Sequence, residues 1–150
     1  LVTEDPSLVP SLTPADHGRL ARAIFDGRDR AALLMLGLGF DERAGGGDGG
    51  SALHAACWMG HVGLVEVLLS RGRVGVDTRD PTHGSTPLGW AAFGSVYRRA
   101  PAGDYASAID CLVAAGADIR APGNRFDESL LNMAQGNDAV QAALRRHGAT

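Results

Sequence analysis

Residues 85–95 read STPLGWAAFGS, and residues 51–60 read SALHAACWMG. A hydroxyl residue, a leucine, two alanines, an aromatic and a glycine follow one another in the same order in both. The chain therefore writes one local plan at least twice, and self-similarity at a fixed period decides a fold before any single element does. Working outward, Leu20, Gly27 and Gly39 all recur at one shared interval, as Leu53, Gly60 and Gly72. Later copies of the leucine fall at Leu88 and Leu130, and of the closing glycine at Gly116 and Gly148, at steps that no longer match. The uneven steps require insertions, two residues near Val74 to Asp80 and nine in VYRRAPAGD, residues 96–104. Both fall where Gly, Pro or Arg is frequent and a loop can lengthen at small entropic cost.

Each unit reads as a short helix, a turn, a longer helix and a glycine stop. In the second unit Ser51 caps the first helix, Leu53, Ala56 and Cys57 give it a narrow apolar face, and Gly60 ends it. Residues 62–71, VGLVEVLLSR, place Leu64, Val65, Leu68 and Leu69 at helical spacing before Gly72. In the third unit Thr86 is the cap and Pro87 takes the first helical position, where its missing N–H costs nothing. The second helix of that unit is expected over Tyr105 to Ala115. Ala91 and Ala92 let neighbouring first helices approach closely. Thr13-Pro14-Ala15-Asp16 opens the first unit with the same cap, proline and acid.

TPLGWAA and SALHAAC…GHVGLVEVLLSRG resemble the ankyrin repeat, whose signature T-P-L-H-x-A sits on a helix-turn-helix unit of about 33 residues. The resemblance implies an all-α fold: an ankyrin-repeat solenoid of about four helix-turn-helix units joined by β-turn fingers. The units fall at about 13–45, 46–80, 81–122 and 123–150, with residues 1–12 as the tail of a preceding repeat or a linker. The first and last units depart from the signature with HGRLARA and ESLLNMA, as terminal units with one neighbour do, and Gly89 stands where the family has His. The Leu1 to Val9 stretch reads as the end of an earlier helix, so further repeats or another domain are expected upstream.

Composition narrows the function. One domain of 150 residues buries roughly two thirds of its unfolded surface without needing a disulfide. Cys57 and Cys111 lie among apolar neighbours and read as small core hydrophobes, which suits a reducing cytoplasm. All 14 basic residues are arginine, as codon bias in a G+C-rich bacterial genome would give. The net charge of −3 is spread along the chain with no basic stripe, so nucleic acid is not an expected partner. No apolar run reaches the roughly 20 residues of a membrane span, and no signal-peptide pattern opens the chain. The protein is expected to be soluble, cytoplasmic and, as a fragment, monomeric.

The expected function is carried by the concave face. In the ankyrin family the residues five and six places after the repeat leucine are exposed; here they are Phe25-Asp26, Trp58-Met59, Phe93-Gly94 and Gln135-Gly136. Three of the chain's 8 aromatics fall in that row. Phe25, Asp26, Trp58, Met59 and Phe93, with Trp90 nearby, are therefore the candidate contact surface for an unidentified protein partner, since such side chains dominate interface hot spots. The alternative is that these rings fold over the alanine-rich seam and complete the core. Tyr97, Arg98 and Arg99 in the insertion, expected at the end of the stack opposite the fingers, are either a second contact site or a solvated excursion.

Other chemistry is thin. The finger AGGGDGG, residues 44–50, could cradle phosphate through bare N–H groups, but with no lysine in the chain a P-loop is impossible, and a tight turn tip accounts for it. His54, Cys57, His61 and His83 could be read as zinc ligands, but His54 matches the signature histidine that ties turn to helix. Ser85 and His83 lack an arranged nucleophile and base, Thr86 is a cap, and Asp41-Glu42 and Asp127-Glu128 are expected in water-exposed turns. The expectation is a non-catalytic scaffold or adaptor domain with no cofactor and no metal. The alternative is a regulatory or substrate-presenting segment of a larger enzyme.

Overall fold

The computed structural model describes residues 9–150, so most of the expected N-terminal tail, residues 1–8, lies outside the described residues. The described chain is helical, with no strand in it. After a 3-10 turn at Val9–Ser11, helix α1 (Pro14–His17) runs almost without a break into α2 (Arg19–Phe25). There follow α3 (Asp29–Gly37), α4 (Ala52–Trp58), α5 (Val62–Arg71), α6 (Pro87–Tyr97), α7 (Tyr105–Ala114), α8 (Leu130–Met133) and α9 (Asp138–Arg146). No helix is long and apolar enough to cross a membrane among the described residues.

The starts obey local chemistry. Thr13 and Asp16 form a reciprocal box, the Thr13 N–H donating to the Asp16 carboxylate and the Asp16 N–H to the Thr13 hydroxyl. Thr86 accepts from the Gly89 N–H with Pro87 at the first turn, and Ser129 and Asn137 cap α8 and α9 in the same way. The stops are the recurring glycines: Gly27, Gly39, Gly60, Gly72, Gly116 and Gly148 all have positive φ, a conformation that costs other residues dearly.

Packing follows the register. Helices α2, α4, α6 and α8 lie side by side in that order, and α5, α7 and α9 form a second row, each second helix also packing on the first helix of its own pair. The repeat leucines Leu20, Leu53, Leu88 and Leu130 are buried in the seam. On the second helix of each pair, α3, α5, α7 and α9, residues four apart turn inward: Ala32 and Leu36, Leu64 and Leu68, Ala108 and Leu112, Val140 and Leu144. Each large one contributes on the order of 1.5–3 kcal/mol of transfer free energy. Ala52, Ala56, Ala91 and Ala92 are fully enclosed, so small side chains set the spacing between first helices.

Three positions differ from the sequence reading. Residues 96–104 are not wholly a loop. Where units one and two have Gly27 and Gly60, unit three has Ser95, so α6 continues to Tyr97 and the chain turns at Arg99, with φ of 46°. Cys57 is fully buried, but Cys111 is only half-buried, its Sγ facing Glu66. Glu42 is not in an open turn: its carboxylate is enclosed, and Arg71 of α5 pairs with it. The backbone carbonyl of Glu42 accepts from the Ala52 N–H, which draws the residue under the first finger, away from water.

Candidate functional site

The shared register of the first helices puts rings from successive units in one line. Phe25 ends α2, Trp58 ends α4, and Phe93 and Tyr97 lie one turn apart on α6. Phe25 stacks on Trp58 with centroids 5.8 Å apart and 7° between planes. Trp58 meets Phe93 at 6.1 Å, and Phe93 meets Tyr97 at 4.1 Å. The row is therefore continuous across three units. Its exposure is graded: Phe25 and Trp58 are half-buried, Phe93 is 37% exposed and Tyr97 67%. The Trp58 indole N–H is buried without a hydrogen-bond partner among the described residues.

The remaining sequence candidates surround this row. Asp26, exposed, caps α2 and accepts from Arg22 Nε at 3.1 Å. Met59 caps α4 and is half-buried. Arg98 and Arg99 are exposed just beyond α6, and Arg99 Nε folds back onto the Val96 carbonyl. The insertion is joined to the row rather than remote from it. Tyr97 touches Phe93, and the Tyr105 hydroxyl donates to the Trp58 carbonyl at 2.9 Å while accepting from the Ala100 N–H.

Trp90 departs from the expected exposed stripe. It is 7% exposed, and its indole N–H donates to Asp80 at 2.9 Å. The reason is register: Trp90 is two residues past the repeat leucine, on the side of α6 that faces the finger before it. The same Asp80 carboxylate accepts from the N–H groups of Thr82, His83 and Ser85. Burial would raise its pKa, but these donors outweigh burial and hold it below the usual carboxylate value. His54 completes the layer. Its Nδ1 accepts from the Ser51 N–H, and its Nε2 lies 2.9 Å from the Thr78 carbonyl and 3.2 Å from that of Ser85, so Nε2 carries the proton. Burial lowers its pKa and keeps the ring neutral.

Between the row and the fingers lies an open cleft of about 390 Å³. Phe25, Trp58, Trp90, Phe93, Phe126 and Met133 give it apolar walls. Asp48, His83, Ser85, Asn124 and Glu128 come from the fingers. The sequence reading missed this finger side. A signal was present, because Asp48 and His83 each stand five residues before a repeat leucine, Leu53 and Leu88, and so share one finger position. Phe126 carries no such mark; it follows Arg125 in a finger whose length differs from the others.

Residues 48–81, from the tip of one finger through α4 and α5 to the next, match the family model of the ankyrin repeat. The matched segment is an ankyrin repeat. Ankyrin repeats are a non-catalytic module that generally mediates contact between proteins. Within this repeat His54 bonds to the next finger, on the carbonyls of Thr78 and Ser85. Gly89 stands at that position in the following unit, where the third finger comes too close for a side chain. A Cβ there would collide with the Gly123 carbonyl and the Ser85 hydroxyl. Ser85 Oγ donates to the Gly123 carbonyl instead, at 2.6 Å, and takes over the tie.

The candidates for other chemistry are occupied. Thr86 is a cap, Ser85 Oγ is committed to Gly123, and His83 Nδ1 lies 3.3 Å from Asp80. Asp41 is paired with Arg43, whose hydrogen bonds lower its pKa, and Glu128 accepts from Asn124. His61 caps α5 and faces Asp29 at 3.0 Å. No three His, Cys, Asp or Glu side chains gather closely enough to hold a metal ion among the described residues. The glycine finger closes on itself, Gly49 N–H to the Gly46 carbonyl and Gly46 N–H to that of Gly50, with Gly49 at φ of 81°.

Proposed function

We propose that this domain captures a protein partner along the row Phe25, Trp58, Phe93 and Tyr97, flanked by Asp26, Met59, Arg98 and Arg99, with Trp90 forming the floor of the cleft. The observation that carries the reading is the unbroken line of rings from three units, ending in two that are substantially open to water. Exposed contiguous aromatics are costly on a free surface and typical of interface anchors. The half-buried members, Phe25 and Trp58, also support packing, so the two alternatives raised by the sequence divide along the row. The domain acts by binding, without catalysis, cofactor or metal, with units at about 13–45, 46–80, 81–122 and 123–150, as a monomer in a bacterial cytoplasm.

The test separates docking from stability. Immobilised wild-type domain is expected to retain a defined set of proteins from native lysate. The double variant Phe93→Ala/Tyr97→Ala is expected to lose them while its melting temperature moves by no more than a few degrees. An unchanged retained set in that variant would sink the proposal.

A further inference from the structure

Resting on that reading, we infer that the cleft beside the row receives a basic side chain, lysine or arginine, from an extended segment of the protein partner. Its walls are five aromatic rings and a methionine. The carboxylates at its edge, Asp48 and Glu128, form no ion pair among the described residues, and no arginine is among its lining residues. Aromatic faces attract cations through the ring quadrupole, and carboxylates beside them complete the charge. A long aliphatic stem ending in a cation matches both properties at once, since the stem can lie along Trp58 and Phe93 while the charged head meets the finger carboxylates. The protein already makes one such contact at this end: the Arg125 guanidinium sits 5.1 Å from the centroid of the Phe126 ring. An acidic or phosphorylated segment would meet two carboxylates, and the one nearby guanidinium, Arg125, already sits over the Phe126 ring outside the lining. A stacked nucleobase would suit the rings, but its phosphates would find no arginine among the lining residues.

The chain's only two tryptophans, Trp58 and Trp90, both line the cleft, so intrinsic fluorescence reports its occupancy directly. The probes are end-blocked hexapeptide mixtures with arginine, lysine, leucine or glutamate fixed at a central position and the flanking positions randomised. Arginine- and lysine-centred mixtures are expected to bind at least about tenfold more tightly than the glutamate-centred one, and to weaken as salt rises. The double variant Asp48→Asn/Glu128→Gln, which keeps the Asn124 contact, is expected to lose that preference with unchanged melting temperature. Equal binding of all mixtures, no binding of any, tighter binding of the glutamate- or leucine-centred mixture, or a preference surviving in the double variant would each overturn the inference. Failure here is distinguishable from failure of the row. If lysate proteins are lost on Phe93→Ala/Tyr97→Ala but are neither displaced by the arginine-centred mixture nor affected by Asp48→Asn/Glu128→Gln, the row binds and the cationic pocket is wrong.

Discussion

His54 shows how one buried polar side chain can fix the relation between two repeat units. Both ring nitrogens are used, one within its own helix start and one on the carbonyls of the next finger. His54→Ala should cost about 2–3 kcal/mol in urea unfolding, because it leaves buried carbonyls short of a donor. That cost should shrink between pH 7 and pH 5. The folded pKa lies below the usual 6.5, so the ring contributes fully above that value, and its contribution is lost as pH falls through the folded pKa, where only the unfolded chain readily gains a proton. Asp80 behaves alike at lower pH: its stabilisation is present above the usual 3.8 and disappears as pH drops through its lowered folded value. Trp58→Phe should change stability by less than about 1 kcal/mol, since it keeps the stack on Phe25 and removes an indole N–H that has no partner among the described residues. At this scale the sequence was uneven as a guide. The signature histidine announced its own role, whereas the enclosure of Trp90 depends on Asp80 in the preceding finger, and the burial of Glu42 on Arg71 at the far end of the next unit's second helix.

At the scale of elements, capping residues and glycine stops made nearly every boundary legible, because those signals are local. The exception was instructive. Residues 96–104 carry arginines, a proline and a glycine and read as loop, but without a glycine at position 95 nothing stops α6, and it gains the turn that carries Tyr97. The extension is held from the far side by Tyr105, whose hydroxyl bridges the Trp58 carbonyl and the Ala100 N–H. Tyr105→Phe should therefore cost about 1–2 kcal/mol by chemical denaturation, and should lower protection of the Ala100 amide in hydrogen exchange. The second and third fingers are joined by a close approach that no period could foretell. Gly89→Ala would push a methyl group into the Gly123 carbonyl and the Ser85 hydroxyl, and should destabilise the chain by about 1–3 kcal/mol.

For the whole molecule, the recurrence of landmarks at a single interval was enough to give side-by-side helix pairs, since a hairpin with one apolar face is stable only when a neighbour covers it. The cleft was not legible in the same way. It arises where finger residues from three connections converge on rings from the helices, and convergence is a property of the stack rather than of any unit. The same nearest-neighbour architecture governs how damage spreads. The buried Glu42 carboxylate ties the first finger to Arg71 on α5, and its second oxygen has no hydrogen-bond partner among the described residues. Arg71→Ala leaves that carboxylate enclosed without a cation, which should cost about 3 kcal/mol, whereas Glu42→Met/Arg71→Met should cost less than Arg71→Ala, because an apolar pair carries no desolvation penalty. Since the main contacts run between adjacent pairs, the loss of hydrogen-exchange protection in Arg71→Ala should concentrate in α2 to α5 and leave α7 and α9 close to wild type. Uniform loss across all helices would mean that the stack unfolds as one cooperative unit despite its modular plan.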